Sequence, residues 1–311
     1  APLVSAGRSV VVIAEEWQTS WSMVELGART RRQGWDGDVR LFWNANNIFG
    51  FERVPWRALN ESATITTVSR FMKHEMWRYG IDARVLPNGI AAEWLMPFDR
   101  RAVGALKQAA DGRVLLAKVA RWDPDKRWLM AVDAVRELKE RGLSPLLVAR
   151  GGLEQHGQEV MSRAQSHDLV PRFVSCQDDS PPALCVALAE SAHCDIVVIE
   201  SRLSRPQLQC LYRASDAVLA NSGVEPFGLV GLEAMASGAV AFVGATGEDY
   251  ATPGHDAISL QTSAAHEITA NVLRLRRHPD LAHRLRHEAR RTGARYTWGR
   301  VIQTHVLPML A

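Results

Sequence analysis

The sequence predicts an α/β fold with parallel sheets. Short β-like runs alternate with longer segments of helical character along most of the chain, and this alternation is typical of strands joined by crossover helices. Tight connections such as residues 142–145 return a helix directly to the next strand. The 311 residues are enough for about two domains of ordinary size.

The strands and helices follow from these runs in order. The first run, Ser-Val-Val-Val-Ile at residues 9–13, is the earliest predicted strand. Helices are predicted at 129–141, 205–214 and 229–236, and Gly238 follows the last of them in the position of a C-terminal cap. The predicted strands are residues 9–13, 63–68, 113–119, 145–149, 195–199, 217–220 and 239–243.

Composition and charge exclude several classes of protein. Hydrophobic residues make up 47% and charged residues 23% of the chain, which excludes a fibrous, collagen-like or mostly disordered protein. The formal net charge of +3 is too small to predict nucleic-acid binding. The four cysteines show no metal-binding spacing, and no apolar run is long enough to cross a membrane. A cytoplasmic protein is the expectation.

The segment 221–238 carries the clearest functional signal. A Ser-, Gly- and Pro-containing loop separates the strand 217–220 from the helix 229–236, and the free N–H groups at the start of that helix favour an anion such as phosphate. Gly228 allows the backbone to approach a ligand closely. Glu225 lies in the loop before the helix, and Glu233 lies one to two turns inside it. A carboxylate between Leu232 and Met235 is unusual in so apolar a helix.

This segment resembles the signature of retaining glycosyltransferases of family 4. The two Glu residues are eight positions apart, Phe227-Gly228 follows closely after the first, and Glu-Ala-Met-Ala-Ser-Gly begins at the second. The resemblance implies the GT-B fold, in which two Rossmann-like domains enclose an interdomain cleft. A bare pair of Glu residues is weak evidence, but the surrounding eighteen residues make the resemblance specific.

Other motifs occur in the order that this family uses. Residues 66–69 (Thr-Thr-Val-Ser) and 86–90 (Leu-Pro-Asn-Gly-Ile) resemble its paired "TVS" and "PNGI" motifs. Residues 121–126 resemble its Arg-x4-Lys loop, and Tyr296-Thr297-Trp298 resembles its final helix. The expected domains are residues 1–100 on the acceptor side, 101–293 for the nucleotide-sugar, and 294–311 as a helix that crosses back to the first domain.

The resemblance also assigns the donor site. Arg121 and Lys126 would bind the donor diphosphate, where fixed cations offset the charge of the leaving group. Glu225 would bond to the transferred sugar, and Glu233 would hold the ribose hydroxyls. The remaining donor contacts are expected at Phe227, Gly228 and Leu229 beside the phosphates, Ile199 and Leu203 near the base, and Thr246 through its backbone.

The implied reaction moves a sugar from a nucleoside diphosphate sugar to an acceptor hydroxyl with retention, giving an α-linkage. The leaving phosphate would take the acceptor proton in a front-face attack, and no metal or other cofactor is expected. Two Asp-x-Asp pairs, 36–38 and 123–125, resemble metal-binding pairs of another glycosyltransferase fold. They are better interpreted as surface turns.

The N-terminal part departs from the family pattern. Residues 11–19 resemble a strand end that reads "HAHDWQT" in glycogen-synthase-like members, but Glu15 replaces the His near the sugar, and Asn44 lies in a segment that often carries His-Asn. Both are weak candidates for acceptor contacts. Only about ten residues precede this point, so the N-terminal domain is expected to be short or truncated, or completed by a partner chain or by self-association.

Three alternatives remain open at this point. The chain is either a complete transferase or a nucleotide-sugar-binding module that needs a partner or a missing segment for activity. A GT-B-like epimerase or phosphorylase is a weaker interpretation. The arginine-rich segment 274–295 is compatible with a membrane surface, but a solvated helix face is favoured. The base, the sugar and the acceptor are not specified by the sequence.

Overall fold

The computed structural model describes residues 2–191 and 193–310, and within them the chain forms two parallel sheets. The chain divides into two compact units, each with its own sheet. Unit 1 comprises the residues up to Gly89 together with those from Trp298 onward, and unit 2 comprises Ile90–Thr297. The predicted α/β class with parallel sheets is confirmed.

Unit 1 is built on a sheet in the order β1-β2-β3-β4, with each neighbouring pair parallel. Trp43 on β2 is fully buried, and Trp56 packs edge-on against it at a centroid distance of 5.7 Å. The edge strand β1 leaves Val11 and Ile13 exposed. The strands are β1 (Val10–Glu15), β2 (Val39–Ala45), β3 (Thr64–Thr67) and β4 (Arg84–Val85).

Unit 2 is built on a larger parallel sheet in the order β11-β10-β9-β5-β6-β8-β7. Its central strands are buried along almost their whole length, as expected for parallel strands covered on both faces. The strands are β5 (Val114–Val119), β6 (Pro145–Arg150), β7 (Pro171–Val174), β8 (Ile196–Ile199), β9 (Ala217–Ala220), β10 (Ala241–Val243) and β11 (Ile258–Ser259).

Helices connect and cover both sheets. In unit 2, α6 packs against α7 and α11, and α5 packs against α8 and α9. The helices are α1 (Pro2–Ser5), α2 (Ser20–Arg32), α3 (Trp56–Asn60), α4 (Arg70–Trp77), α5 (Arg100–Ala109), α6 (Trp128–Glu140), α7 (His156–Ser166), α8 (Pro181–Ala189), α9 (Arg205–Ala214), α10 (Leu229–Ala236), α11 (Ala265–Arg277), α12 (Pro279–Arg295), α13 (Trp298–Val301) and α14 (Leu307–Leu310). Short 3₁₀ turns lie at Trp17–Thr19, Phe51–Arg53, Ala92–Leu95 and Pro124–Lys126, and a π-helical turn at Ile302–Val306.

The predicted elements agree with these bounds to within two residues at each end, and the predictions for β9, α9 and α10 are correct at both ends. The described residues also form strands that were not predicted. Two of them, β4 and β11, have only two residues each, which is too short for a recognisable pattern. The others are β2 and β7. β7 begins with Pro171, which argues against a strand unless it lies at a sheet edge, as β7 does.

Candidate functional site

The order of the larger sheet contains one point where the chain changes direction. From β5 the chain continues to β6 on one side, and β9 with β10 lie on the other. In open parallel sheets, ligands bind outside the carboxyl ends of the strands at such a switch point. The loops that follow β5 and β9 therefore define the candidate site.

The loop after β5 presents two cations on a rigid turn. The Asp123 side chain accepts a hydrogen bond from the Asp125 N–H at 2.9 Å and so caps the turn Pro124–Lys126. The Trp128 indole donates to the Arg121 carbonyl at 2.7 Å. The Arg121 guanidinium is exposed and makes no hydrogen bond or ion pair with any residue that the structure describes. Its charge is thus free to meet an anion.

Asp125 ties the loop after β9 to the loop after β5. Its Oδ1 accepts from the Val224 N–H at 2.8 Å, and its backbone carbonyl accepts from the Gly223 N–H at 2.7 Å. A Cβ atom at Gly223 would lie 2.8 Å from the Asp125 carboxylate. Asp125 and Asp123 thus act as turn residues, in agreement with the prediction for this Asp-x-Asp pair, and Asp36 and Asp38 also lie in a turn.

Lys126, Ser222 and Glu225 form a cluster where the two loops meet. The Lys126 ammonium donates to Glu225 Oε2 at 2.8 Å and to Ser222 Oγ at 3.2 Å. The Ser222 hydroxyl donates to the same Glu225 oxygen at 2.7 Å. The side chains of Lys126 and Glu225 are about four-fifths buried (19% and 20% exposed), so their charges are less screened than those of a surface pair. The structure brings together the predicted residues Lys126 and Glu225, and adds Ser222.

Gly228 begins α10 in a conformation that favours glycine. Its φ of +83° lies in the left-handed region. A Cβ atom there would lie 2.9 Å from the Glu248 side chain and 3.0 Å from the Tyr250 hydroxyl. That hydroxyl donates to the Gly228 carbonyl at 2.6 Å. Phe227, predicted as a donor contact, points its ring into the protein against Tyr250 and is 3% exposed, so only its backbone faces the loop.

Thr246 and Glu248 hold the Glu225 loop from the β10 side. The Thr246 hydroxyl accepts from the Glu225 N–H at 2.9 Å and donates to the Glu225 carbonyl at 3.2 Å. The Glu248 carboxylate accepts from the Gly244 and Thr246 N–H groups at 3.0 and 3.1 Å. Burial raises the pKa of Glu248 to about 7. Thr246 thus contacts Glu225 through its hydroxyl, and its backbone N–H is taken up by Glu248.

The second predicted carboxylate, Glu233, lies on α10 in a half-buried position. Burial raises the pKa of Glu233 to about 7, and the nearby Arg205 guanidinium opposes that rise. No hydrogen bond to the Glu233 carboxylate is present among residues 2–191 and 193–310. The buried Tyr212 hydroxyl, whose pKa is raised by burial and by Glu233, also has no hydrogen-bond partner in the described part of the chain. Glu233 on α10 and Tyr212 on α9 therefore retain unused hydrogen-bonding capacity.

Ile199 ends β8, and Leu203 lies four residues farther along the loop that precedes α9. Both side chains are buried, at 1% and 6% exposed. Any ligand contact at this loop would therefore come from its backbone or from the more exposed residues 200–202.

The family can be identified from the part of the chain that forms this site. The sequence profile of the glycosyl transferases group 1 matches residues 105–292, which includes β5 to β11 and every loop described above. The chain belongs to this family. It is a glycosyltransferase, as the sequence predicted.

Solved structures share the fold of this glycosyltransferase at low sequence identity. Sucrose-phosphate synthase from Thermosynechococcus elongatus is 17% identical with a TM-score of 0.65, covering 96% of this chain and 73% of that one. Anabaena HepE in complex with UDP is 14% identical with a TM-score of 0.72, covering 99% and 80%. The catalytic domain of starch synthase IV from Arabidopsis thaliana, bound to ADP and acarbose, is 14% identical with a TM-score of 0.66, covering 99% and 74%. No curated protein sequence gives a significant match. The predicted GT-B fold is confirmed.

Sequence reasoning missed several residues of the candidate site. Gly151 and Gly152 follow β6 at the same sheet edge, and a Cβ atom at Gly151 would collide with the Trp122 ring. Glu154 accepts from the Trp122 N–H at 2.8 Å and so joins this loop to the one after β5. The Gly-Gly pair directly after a strand was a usable signal. Ser222 gave no comparable signal, because its contact with Lys126 joins distant parts of the chain. Glu248 gave none, because its hydrogen bonds are to the nearby backbone N–H groups of Gly244 and Thr246 and no motif marks them.

Unit 1 places the two weak acceptor-side candidates together at the carboxyl ends of β1 and β2. The Asn44 amide donates to Glu15 at 3.4 Å, and Asn44 Oδ1 accepts from the buried Thr66 hydroxyl at 2.9 Å. Glu16, which directly follows β1, has a left-handed φ of +68°. It accepts from the Asn46 N–H and the Asn47 amide at 3.0 and 2.9 Å, and burial raises its pKa.

Among residues 2–191 and 193–310, no group of three or more His, Cys, Asp or Glu side chains is arranged to hold a metal ion. None of the described helices of the glycosyltransferase is both long and apolar enough to span a membrane.

Proposed function

We propose that this glycosyltransferase is a retaining enzyme of family 4 that transfers a sugar from a nucleoside diphosphate sugar to an acceptor hydroxyl and forms an α-linkage. The observation that carries the proposal is the cluster of Lys126, Ser222 and Glu225 at the switch point of the larger sheet. The motif order around this cluster supports the assignment to family 4.

The donor diphosphate is proposed to bind between the loop after β5 and the start of α10. Arg121 supplies an exposed guanidinium, which suits the geometry of phosphate oxygens. Lys126 supplies a second, largely buried positive charge. The free N–H groups at Gly228 and Leu229 add the partial positive charge of a helix N-terminus.

Glu225 is proposed to hold the transferred sugar. Its Oε2 atom already accepts hydrogen bonds from Lys126 and Ser222. Its Oε1 atom has no hydrogen-bond partner in the described part of the chain, so it is available to a sugar hydroxyl. The ion pair with Lys126 fixes the carboxylate beside the cation that would bind the adjacent phosphate.

Glu233 is proposed to accept hydrogen bonds from the ribose hydroxyls. Such donors favour its ionised form and so offset the effect of burial on its pKa. The base is proposed to lie against the backbone of the loop between Ile199 and Leu203, because both of those side chains point into the core. Thr246 is proposed to act by positioning Glu225.

The transfer is proposed to proceed by front-face attack. The bond between the sugar C1 and the leaving phosphate oxygen breaks while the acceptor oxygen bonds to C1 on the same face. The acceptor proton passes to the leaving phosphate. Arg121 and Lys126 stabilise the charge that develops on the leaving group, which is the work that a metal ion performs in other transferases. Activity is therefore expected to persist in the presence of a chelator such as EDTA.

The test combines binding with product analysis. Calorimetry with UDP, ADP and GDP identifies the base, beginning with UDP and ADP because the structural neighbours HepE and starch synthase IV are described as complexes of these nucleotides. NMR of the product of the matching nucleotide-sugar then determines the anomer. Failure to bind any of the three nucleotides would refute the donor site, and a β-linked product formed from an α-linked donor would refute retention.

A second candidate is a binding module that holds the nucleotide-sugar but transfers nothing without a partner chain. The observation that favours it is Glu15, whose carboxylate occupies the position where glycogen-synthase-like members have a His. Tight nucleotide-sugar binding without turnover on any hydroxyl acceptor, followed by turnover when a second polypeptide is added, would support this candidate over the first.

A further inference from the structure

A buried lysine lies directly beneath the two loops of the donor site. Lys118 is the fifth of the six residues of β5, and it is 1% exposed. Lysine is almost never fully buried unless its ammonium group is hydrogen-bonded or paired. The donor-site assignments above give this residue no role.

The Lys118 ammonium joins three elements of unit 2. It donates to the Leu219 carbonyl on β9 at 3.1 Å and to Asn221 Oδ1 at 2.8 Å. It also lies 5.3 Å from the centroid of the Trp128 ring on α6, within the range of a cation–π contact. Asn221 is itself 0% exposed and donates from its amide to the Met130 sulfur at 3.3 Å. Both hydrogen bonds of the ammonium are therefore made to the end of β9 and the first residue after it.

Asn221 is the residue immediately before the donor loop. Ser222 follows it, and Ser222 and Glu225 share the Lys126 ammonium. A rotation at Asn221 would therefore move the Ser222 hydroxyl and the Glu225 carboxylate together. Farther along the loop, Asp125 and Thr246 hold its backbone in place. At the start of the loop, the only side-chain hydrogen bonds of Asn221 among the described residues are those with Lys118 and Met130.

We propose that Lys118 is a positioning residue for the donor site: by holding Asn221, it fixes the loop from Ser222 to Glu225 in the arrangement that receives a nucleoside diphosphate. This proposal rests on the donor site described under Proposed function, and it extends that site below the residues that would touch the ligand.

The charge of Lys118 is set by its surroundings. Burial, reinforced by the positive charges of Lys126 and Arg127, lowers the pKa of Lys118 to about 7. No carboxylate in the described part of the chain forms an ion pair with it. The groups around it are Lys126 and Arg127 from the turn after β5, Ala149 from β6, the Leu219 carbonyl from β9, Asn221 just after β9, and Trp128 from α6.

Diphosphate binding would change this balance. A diphosphate bound beside Lys126 places negative charge near Lys118 and offsets the repulsion between the two ammonium groups. The pKa of Lys118 therefore rises in the complex. A group whose pKa rises on binding favours binding below its unbound pKa, and this advantage is lost as the pH rises through its bound pKa. Nucleotide affinity should therefore fall as the pH rises above about 7, with Lys118 contributing to the fall.

The test uses the double variant K118M/N221L. The single variant K118M leaves the Asn221 oxygen buried without its donor, which is destabilising in itself. The double variant replaces both polar groups by apolar ones of similar size, and such replacements are often neutral or stabilising. K139M on α6 is the matched control, because Lys139 pairs with Asp195 at 2.9 Å and has no assigned part in the donor site.

The measurements are thermal stability and the Kd for whichever of UDP, ADP and GDP the wild type binds, at pH 6.5 and pH 8.5. The double variant should keep the thermal midpoint of the wild type or exceed it, yet bind the nucleotide about tenfold more weakly at pH 6.5. Its affinity should also depend less on pH. K139M should match the wild type in nucleotide affinity and in its dependence on pH.

A stable double variant with wild-type affinity and wild-type pH dependence would overturn the role of Lys118 while leaving the donor site intact. A wild type that binds none of the three nucleotides would overturn the donor site itself, and the role of Lys118 with it. K118R provides a second check: a retained charge that fits poorly should weaken binding, whereas unchanged binding would contradict a requirement for the Lys118–Asn221 contact.

Discussion

In both units, polar residues lie at the carboxyl ends of the parallel strands, but the two sets of residues differ in charge. In unit 2 the carboxylate of Glu225 is matched by Lys126 at 2.8 Å, and Arg121, a cation without a partner among the described residues, lies on the same loop as Lys126. In unit 1 the carboxylates of Glu15 and Glu16 have amides and backbone N–H groups as partners. The first set is suited to an anionic ligand, and the second is suited to hydroxyl groups.

We propose that this difference allows two similar parallel sheets to serve two ligands. The carboxyl end of a sheet supplies the position in each unit, and the side chains that follow the strands supply the chemistry. A diphosphate would be repelled by Glu15 and Glu16 and attracted by Arg121 and Lys126. The predictions below test this contrast, in order of decreasing effect.

Removing the paired cation should produce the largest loss. K126A leaves Glu225 largely buried without its ion pair and removes one charge from the proposed phosphate site. Sugar transfer should fall by about 10²- to 10³-fold, and nucleotide affinity should fall with it. K107A on the exposed face of α5 is the control and should behave like the wild type. Wild-type transfer by K126A would contradict the contrast between the units.

Neutralising Glu225 should affect the use of the sugar donor without affecting the binding of the nucleotide alone. E225Q keeps the size of the side chain but weakens a hydrogen bond to a sugar hydroxyl, so kcat/KM should fall by about 10- to 100-fold. Affinity for the nucleoside diphosphate, which lacks the sugar, should change little. Steady-state kinetics measures kcat/KM, and calorimetry on the same preparation measures the nucleotide affinity. An equal loss in kcat/KM and in nucleotide affinity would indicate that Glu225 acts on the phosphates instead of the sugar.

Replacing Gly228, whose φ is left-handed, should affect the stability of the chain as well as ligand binding. G228A forces a side chain into φ +83° and against Glu248 and Tyr250, which should cost about 1–3 kcal/mol of unfolding free energy. G104A is the matched control, because Gly104 lies inside α5 with no atom within 4 Å of the added Cβ. That change should stabilise the chain by about 0.5–1 kcal/mol. Denaturant unfolding measures both, and a stable G228A would show that the loop relaxes freely.

The smallest effect is expected in unit 1. E15Q removes an exposed charge at the end of β1, and it should leave nucleotide affinity unchanged. The KM for the acceptor should rise about two- to fivefold, because the amide can replace part of a hydrogen bond to a hydroxyl. A change in nucleotide affinity with no change in the acceptor KM would reverse the proposed division between the units.

Local sequence was enough for the elements that carry the site. The strand β9, the loop after it and the helix α10 follow from an apolar run, a Ser/Gly/Pro-containing break and an apolar helix closed by Gly238. The fold class follows from the alternation of such units. The motifs around Lys126 and Glu225 identify a glycosyltransferase, because each lies within a short continuous segment whose residue types can be compared directly.

Strand order was not available from local sequence. Lys126 and Glu225 lie 99 residues apart in the chain, and they meet because β5 and β9 are neighbours in the sheet although β6, β7 and β8 lie between them in sequence. Pairing between distant strands depends on how the whole sheet packs, so no local pattern specifies it. The contact of Ser222 with Lys126 was missed for this reason.

The sequence by itself therefore determined the α/β class, the strand–loop–helix unit around Gly228 and the family to which the chain belongs. Only the tertiary structure decided that Lys118 is buried against Asn221, that Glu248 supports the loop of Glu225, and that Glu233 and Tyr212 retain hydrogen-bonding capacity that the described residues do not use. The physical reason is that periodicity and turn chemistry act over a few neighbouring residues, whereas desolvation and charge pairing depend on residues that packing brings together from distant parts of the chain.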